Sequence, residues 1–355
     1  MLGRQSRLPG EAVNVAGHDI IVVGASAGGV EALSTLVGDL PHDLPAAVFI
    51  VLHMGAHSYS ALPQILARRT KLSVGQPRDG EPVRRNRVYV APPDHHLLVG
   101  RGTIRVANGP TENGHRPSVD TLFRSAAATY GPRVAGVVLS GTRDDGTAGL
   151  RAIHDRGGVA IVQDPDEALF PGMPQSAMAG DHPDHVLAVG KIGHLLSELA
   201  RDELPEEGRS ETMPDELEAE LRWANPDLAW SAPIEPPLGT ASGFTCPECH
   251  GALWEIEDGG FSRYRCRVGH GFSAESLVAT QRTDVEVALW TAYRALEERV
   301  ALFSRLADRA HGRHAEITAE HFRAEAAEVG RQAETLRALL WSRRAPEGES
   351  GPVQT

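Results

Sequence analysis

The chain has 355 residues, of which 41% are hydrophobic, and a formal net charge of −12 at pH 7. This length exceeds one ordinary domain core, and the apolar content is sufficient for folded domains. The acidic balance argues against nucleic acid as a partner, and the sequence has neither an apolar segment long enough to cross a bilayer nor the apolar core of a signal peptide. We therefore expect a multi-domain, cytoplasmic protein without direct membrane insertion.

The first predicted element is a buried strand, Ile20 to Val23, followed by a helix from Val30 to Val37. Ser26 lies on the turn between them, where small residues permit a sharp turn and N–H groups at the helix start can face a ligand. Gly24, Ser26 and Gly28 satisfy the G-x-S-x-G pattern of a nucleophile elbow. The same stretch is one residue from the dinucleotide-binding pattern G-x-G-x-x-G, so this segment alone favours neither function.

The next two predicted strands each end in a residue suited to hydrolysis. The run AAVFIVL ends in His53, where a dinucleotide site requires an acidic residue. The third run, Val134 to Leu139, leads to Asp144 and Asp145. Because ligands of open α/β sheets bind beyond the carboxyl ends of the strands, we expect these side chains to lie near Ser26. An aspartate that accepts from histidine would fix its tautomer for proton transfer from serine.

Six sequence blocks resemble the catalytic domain of the CheB-type protein-glutamate methylesterases: GASAGGVEAL, LHM, YVAPPDHHL, HRPSVDTLF, VLSGTRDDGTAGL and GMPQSAM. The resemblance covers residues 17 to 200 and implies a doubly wound, mostly parallel, Rossmann-like three-layer α/β sheet. It implies Ser26 as the nucleophile, His53 as the base and Asp145 as the orienting acid. It also implies hydrolysis of glutamate γ-methyl esters on chemoreceptor helices, with glutamine deamidation as a related activity and no catalytic cofactor.

Three further expectations concern this domain. The backbone N–H groups of Ala27 and Gly28 are candidates for the oxyanion hole. The HRPSVD block predicts a helix start, with Ser118 as N-cap or first-turn residue. The family usually has threonine and methionine where this chain has Ala27 and Thr142, so substrate preference is expected to differ if those residues shape the pocket. Residues 1 to 16 are expected to be flexible and leave no room for a receiver domain, so activity should not depend on phosphorylation of this chain.

Residues 201 to 240 form a proline-containing stretch with 11 acidic and 3 basic residues, which is typical of a linker. Residues 241 to 273 then hold all three cysteines of the chain. Cys246 and Cys249 have the C-x2-C spacing, and Cys266 and His270 follow after a predicted hairpin. This spacing predicts a zinc ribbon with a closed structural Zn²⁺ site, with His250 as a geometrically poorer alternative to His270.

Residues 274 to 345 show apolar residues at near-heptad spacing, interrupted near His311 to His314. The pattern predicts a helical hairpin, either packed on itself or used for dimerisation or receptor docking. Residues 346 to 355 are expected to be a disordered tail.

Three alternative functions remain open at this stage. In the first, the α/β domain is a catalytically silent adaptor that binds methylated receptor helices. In the second, it is a methylesterase for a protein outside chemotaxis. A nucleotide-binding oxidoreductase is the third alternative, although it gives no role to His53.

Overall fold

The structure, a computed structural model, describes residues 17–55, 60–180, 183–204, 221–224, 239–258 and 261–342. The predicted N-terminal segment, most of the predicted linker and the predicted tail lie outside the described residues. The chain divides into two compact units, one ending at Leu277 and the other beginning at Val278.

A seven-stranded, fully parallel sheet forms the centre of the first unit. Its strands are β1 (Ile20–Ala25), β2 (Ala47–Leu52), β3 (Ser73–Gly75), β4 (Arg87–Val90), β7 (Val134–Val138), β8 (Val159–Gln163) and β9 (His185–Leu187). The order β3-β4-β2-β1-β7-β8-β9 places β1 in the middle, with the chain winding first to one side and later to the other. The predicted doubly wound α/β class is therefore confirmed, and the point where the winding reverses is where such folds bind ligands.

Helices cover both faces of this sheet, which gives three layers. They are α1 (Gly29–Asp39), α2 (Leu62–Ala67), α3 (Val119–Tyr130), α4 (Thr147–Asp155), α5 (Gly172–Gly180) and α6 (Val189–Leu199). Alternate residues of β1 enter opposite cores: Ile21 and Val23 pack with residues of α1 and α6, whereas Ile20 and Val22 pack with residues of α3 and α4. A short antiparallel pair, β5 (His96–Val99) and β6 (Ile104–Ala107), adds to the second core.

Gly24 of β1 shows how closely α3 approaches the sheet. A Cβ atom at this position would lie 2.2 Å from a methyl group of Val119, the first residue of α3. The N-terminus of α3 is therefore held against the carboxyl end of β1, beside the turn that carries Ser26.

A second sheet, antiparallel, belongs to the same unit. Its strands are β10 (Thr240–Thr245), β11 (Ala252–Asp258), β12 (Phe261–Cys266) and β13 (Gly271–Ser273), in that order. Asp258 pairs with Phe261, which confirms the predicted hairpin. We refer to residues 239–273 as the ribbon.

Two long helices complete the described chain: α7 (Ala274–His311), which begins in the first unit, and α8 (Glu316–Ser342). The rings of Trp290 and Trp341 lie 5.3 Å apart and those of Phe303 and Phe322 lie 6.2 Å apart, so the helices run antiparallel. The predicted helical hairpin and its break are confirmed. In the described part of the chain, no helix combines the length and apolar character that crossing a bilayer requires.

Candidate active site

Ser26 lies on the tight turn between β1 and α1. Its N–H donates to the carbonyl of Ser140 (2.9 Å), and its carbonyl accepts from Gly29 N–H (2.9 Å). Gly28 has φ +70°, a left-handed conformation that glycine adopts without strain. The predicted strand-turn-helix context of Ser26 is confirmed, and hydrogen bonds on both sides fix its backbone.

His53 follows β2 directly beside this turn. The parallel register pairs Ala25 with Leu52, and His53 N–H donates to the carbonyl of Ala25 (3.1 Å). Ser26 and His53 are therefore the next residues along two paired strands. The expectation that both lie at the same sheet edge is confirmed.

Asp145 lies between β7 and α4 and is 2% exposed. Its Oδ2 atom is 2.7 Å from His53 Nε2. The remaining donors to its oxygens are the N–H groups of Val119 (2.7 Å) and Asp120 (3.2 Å), the Ser118 hydroxyl (3.0 Å) and the Asn113 amide (2.9 Å). Burial favours a raised pKa for Asp145, but the hydrogen bond and charge of His53, with the other donors, hold this pKa well below its usual range.

The identity of Asp145 as the partner of His53 follows from this geometry. Asp144 instead accepts from the Ser273 hydroxyl (2.9 Å), and burial raises its pKa to about 6. Because an ionised Asp145 can only accept, His53 Nε2 carries the proton and Nδ1 keeps its lone pair. Within the described residues, Nδ1 is buried and has no hydrogen-bond partner.

The Ser26 hydroxyl makes no hydrogen bond to His53 among the described residues. Such bonds are often long in ligand-free sites and close when substrate binds. The free Nδ1 lone pair thus leaves His53 able to accept a proton from a neighbouring hydroxyl.

A second histidine, His115, covers the His53 ring. The two rings are stacked with centroids 3.7 Å apart and planes 9° apart. Burial and the charge of His53 lower the pKa of His115 to about 4, so His115 is neutral at neutral pH. The sequence marked the block that contains His115 as distinctive, but gave no sign that its first residue would contact His53.

Replacing His115 with phenylalanine is expected to flatten the acid part of the stability curve. A folded-state pKa near 4, below 6.5 for an unfolded histidine, stabilises the fold above pH 6.5, and this contribution is lost as pH falls towards 4. Between pH above 6.5 and pH below 4, wild type is expected to lose about 3 kcal/mol of unfolding free energy that His115→Phe does not lose. Denaturant unfolding of wild type and His115→Phe at several pH values measures it, with exposed His194→Phe as control. Parallel curves for wild type and His115→Phe would contradict the expectation.

Asp120 is a further buried carboxyl group beside the site. One oxygen accepts from the N–H groups of Gly146 (3.0 Å) and Gly149 (2.7 Å), and the other accepts from Asn113 (2.9 Å). Burial and the neighbouring charge of Asp145 raise the pKa of Asp120 to about 7.

Ser118 is the N-cap of α3, as predicted, because its hydroxyl accepts from Thr121 N–H. The sequence did not indicate that Asn113 or Asp120 would lie here.

The predicted oxyanion donors lie at the start of α1. Within the described residues, the N–H groups of Ala27 and Gly28 make no hydrogen bond to another protein group. Both residues are half-buried, and the Ala27 carbonyl accepts from the Ser140 hydroxyl (2.8 Å). This arrangement leaves two fixed N–H groups available to an oxygen beside Ser26.

The four predicted metal ligands come together in the ribbon. The ligand atoms of Cys246, Cys249, Cys266 and His270 all lie within 4.8 Å of one another. Cys249 Sγ is 3.5 Å from Cys266 Sγ, and His270 Nδ1 is 3.5 Å and 3.7 Å from the Sγ atoms of Cys266 and Cys246. In a tetrahedral zinc site with Zn–S bonds of about 2.3 Å, the sulfur atoms lie about 3.8 Å from one another. The donor set and its spacing therefore fit Zn²⁺, and His250 is not in the cluster.

Part of this chain is similar to known proteins. Residues 21–196 match the family model described as CheB methylesterase. A protein-glutamate methylesterase/protein-glutamine glutaminase of Anaeromyxobacter dehalogenans is 39% identical over 56% of this chain and 57% of its own length. A putative one of Leptospira interrogans is 37% identical over 53% of this chain and 97% of its own length. The CheB methylesterase catalytic domain of Thermotoga maritima is similar in structure, with TM-score 0.49 and 33% identity over 51% of this chain and 98% of that one.

The doubly wound α/β fold thus carries a serine, a histidine and an aspartate at one edge of its sheet. The chain belongs to the CheB methylesterase family. It spans little more than half the length of the Anaeromyxobacter relative, and nearly all of the Leptospira one.

Proposed function

We propose that this protein is a protein-glutamate methylesterase that uses Ser26, His53 and Asp145 to hydrolyse glutamate γ-methyl esters and release methanol. The observation that carries this proposal is the 2.7 Å hydrogen bond between His53 and buried Asp145, at the sheet edge next to the Ser26 turn. The names of the relatives support the same activity and, as a second reaction of the same site, glutamine deamidation.

The reaction begins when the Ser26 hydroxyl attacks the ester carbonyl and gives its proton to His53 Nδ1. Asp145 remains ionised, stabilises the imidazolium and keeps the proton on Nε2. The N–H groups of Ala27 and Gly28 bind the oxyanion, each such donor contributing about 3 kcal/mol to the transition state. His53 returns its proton to the leaving methanol. A water molecule activated by the same nitrogen then hydrolyses the acyl enzyme to free Ser26 and the glutamate side chain.

The surface beside Ser26 suits a protein substrate. The side chains of Leu169 and Phe170 lie next to Gly28, and they are 68% and 40% exposed. Exposed apolar side chains at the rim of a site favour contact with a partner surface. As the CheB methylesterase family implies, we propose methylated chemoreceptor cytoplasmic helices, or another methylated signalling protein, as the substrate, in chemotaxis-type adaptation.

Methanol release from methylated chemoreceptor cytoplasmic fragments tests this function. Wild type is expected to release methanol, and Ser26→Ala is expected to lose at least about 10³-fold in kcat because no other group replaces the nucleophile. Ser304→Ala, which removes an exposed helical hydroxyl, is the matched control and should behave as wild type. Wild type that releases no more methanol than Ser26→Ala would contradict the assignment of methylated chemoreceptors as the substrate. Binding of the fragments without release would favour the silent adaptor.

The ribbon is proposed to hold one structural Zn²⁺ through Cys246, Cys249, Cys266 and His270. All four positions of a tetrahedral ion are filled by protein, which leaves no open position for catalysis. Support comes from the separations of the ligand atoms. Bound zinc would supply folding energy to a small sheet whose apolar core has few members.

The helical hairpin of the second unit is proposed to serve contacts between proteins, including dimerisation. Val285, Val287 and Trp341 are 47%, 59% and 50% exposed. The ring contacts of Trp290 with Trp341 also show that the hairpin packs on itself, so the two interpretations of the sequence are compatible.

A further inference from the structure

The ribbon docks on the α/β domain through the segment Thr111–Asn113. Gly271 N–H donates to the Thr111 carbonyl (3.1 Å), and Asn113 N–H donates to the Gly271 carbonyl (2.8 Å). Glu112 and Gly271 thereby form a parallel β-bridge. The Thr111 hydroxyl also donates to Glu248 Oε1 (2.6 Å). The ribbon therefore extends the backbone hydrogen bonding of the loop that precedes α3.

A buried ion cluster holds this contact. Glu112 is 6% exposed, and its carboxylate accepts from Arg265 Nη2 of the ribbon (2.8 and 3.0 Å) and pairs with Arg124 Nη2 of α3 (2.8 Å). Burial acts to raise the pKa of Glu112, but the charges of Arg124 and Arg265 lower it to about 2. A buried carboxylate that loses one of these partners carries a large desolvation cost, so Arg265 fastens the ribbon to the helix whose N-terminus binds Asp145.

Asn113 connects the docked segment to the catalytic carboxylate. Its side-chain amide donates to Asp145 Oδ1 and to Asp120 Oδ2, both at 2.9 Å. Its side-chain oxygen accepts from Ser273 N–H (2.8 Å) and from the Ser276 hydroxyl (3.1 Å). Asn113 is 3% exposed, so these four bonds satisfy the full capacity of its side chain.

The hydrogen-bond partners of the Asn113 side-chain amide allow only one orientation of this amide. Ionised Asp145 can only accept hydrogen bonds and Ser273 N–H can only donate, so a flipped amide would place acceptor against acceptor and donor against donor. Residues Ser273 and Ser276, at the end of the ribbon and the start of α7, thus hold Asn113 in the only orientation that supports Asp145. The α/β domain by itself supplies neither of these donors.

We propose that the docked ribbon is a positioning element of the active site, which acts on Asp145 through Ser273, Ser276 and Asn113, so that full esterase activity requires docking. This inference rests on the proposed function and adds a regulatory connection to it. If the ribbon detaches from Glu112, Asn113 loses its hydrogen bonds to Ser273 and Ser276. Asp145 is then held less firmly in the orientation in which it positions His53. The C-terminal segment then activates the enzyme, whereas a simple tether would have no effect on it.

The test compares Arg265→Met with Arg267→Met in the full-length protein. Both remove one ribbon arginine, but Arg265 is buried against Glu112 and Arg267 is exposed. Arg265→Met is expected to lower kcat for methanol release about tenfold with little change in KM, because orientation is lost and substrate contacts remain. Amide hydrogen exchange at Ser273 and at Val119 should accelerate together, since these N–H groups report docking and the Asp145 contact. Arg267→Met should match wild type in kcat, in KM and in amide exchange at both residues.

Faster exchange at Ser273 with kcat within about twofold of wild type would overturn the inference. If Arg265→Met does not fold, Ser276→Ala decides: it removes one donor to Asn113 and is expected to lower kcat about threefold, whereas unchanged kcat overturns the inference. Wild type that releases no methanol refutes the substrate assignment alone. The rate at which a fluorophosphonate labels Ser26 in the same variants then replaces kcat, with the same expected order.

Discussion

If Ser26, His53 and Asp145 act as proposed, replacing Asp145 with asparagine is expected to lower kcat by about 10⁴-fold, the loss found in a serine protease when the acid of the triad becomes an amide. Asparagine keeps an oxygen for the donors at Oδ1 but places an N–H₂ group where Oδ2 accepts from His53 and Val119. His53 must then carry its proton on Nδ1, which leaves no lone pair to receive the serine proton. The loss should appear in kcat, with KM changed far less.

The same substitution is expected to destabilise the fold. The buried N–H group of Val119 loses its acceptor, which corresponds to about 1–3 kcal/mol of unfolding free energy. Ser26→Ala separates the two effects, because it should abolish activity without this loss of stability.

Asp144→Asn is the matched control for the neighbouring carboxyl group. Its Oδ1 accepts from the Ser273 hydroxyl, and an asparagine oxygen can do the same. Steady-state kinetics and denaturant unfolding of the variants measure both effects. An Asp144→Asn enzyme less active than Asp145→Asn would contradict the assignment of Asp145.

Removal of the ribbon metal is the second change with a large expected effect. Reduced full-length protein should contain about one equivalent of zinc, and His270→Ala and Cys266→Ser should each lose it. The apparent binding free energy of structural zinc, about 10 kcal/mol or more, greatly exceeds what the small apolar core of the ribbon can provide. Chelation is therefore expected to unfold the ribbon while the parallel α/β sheet keeps its cooperative transition.

His250→Ala provides the control, because His250 lies beside Cys249 in sequence but outside the ligand cluster. It should retain zinc, as measured by metal analysis, and should show wild-type thermal unfolding. Less than about half an equivalent of zinc in reduced, folded wild type would contradict the site. Equal zinc content in His250→Ala and His270→Ala would contradict the ligand assignment.

The parts of the site that follow from local sequence were predictable. Ser26, His53 and Asp145 each follow a run of apolar residues, and parallel strands bring such positions to one edge whatever their distance along the chain. The ligand spacing in the ribbon is likewise local, since a C-x2-C pair and a C-x3-H pair each lie on a tight turn.

The surroundings of these residues were not predictable in the same way. His115 stacks on His53, and Asn113 joins Asp145 to Ser273, across 160 residues of sequence. Neither residue lies at a strand end, and a polar residue in a loop gives no sign of the buried partner that it will meet. Glu112 illustrates this: its sequence context is typical of an exposed acid, yet two arginines from separate elements enclose it.

By itself, then, the sequence predicted Ser26 and His53 at strand ends, an aspartate at 144 or 145 and a metal-ligand spacing in the ribbon, because these depend on periodicity and spacing along the chain. The doubly wound α/β class and the choice of Asp145 came from the resemblance to the CheB-type family. Only the tertiary structure decided which nitrogen of His53 faces Asp145 and that the ribbon reaches Asp145 through Asn113. The physical reason is that hydrogen bonds between buried polar groups are selected by packing across distant segments. Their geometry exists only once the strands, α3 and the ribbon have come together.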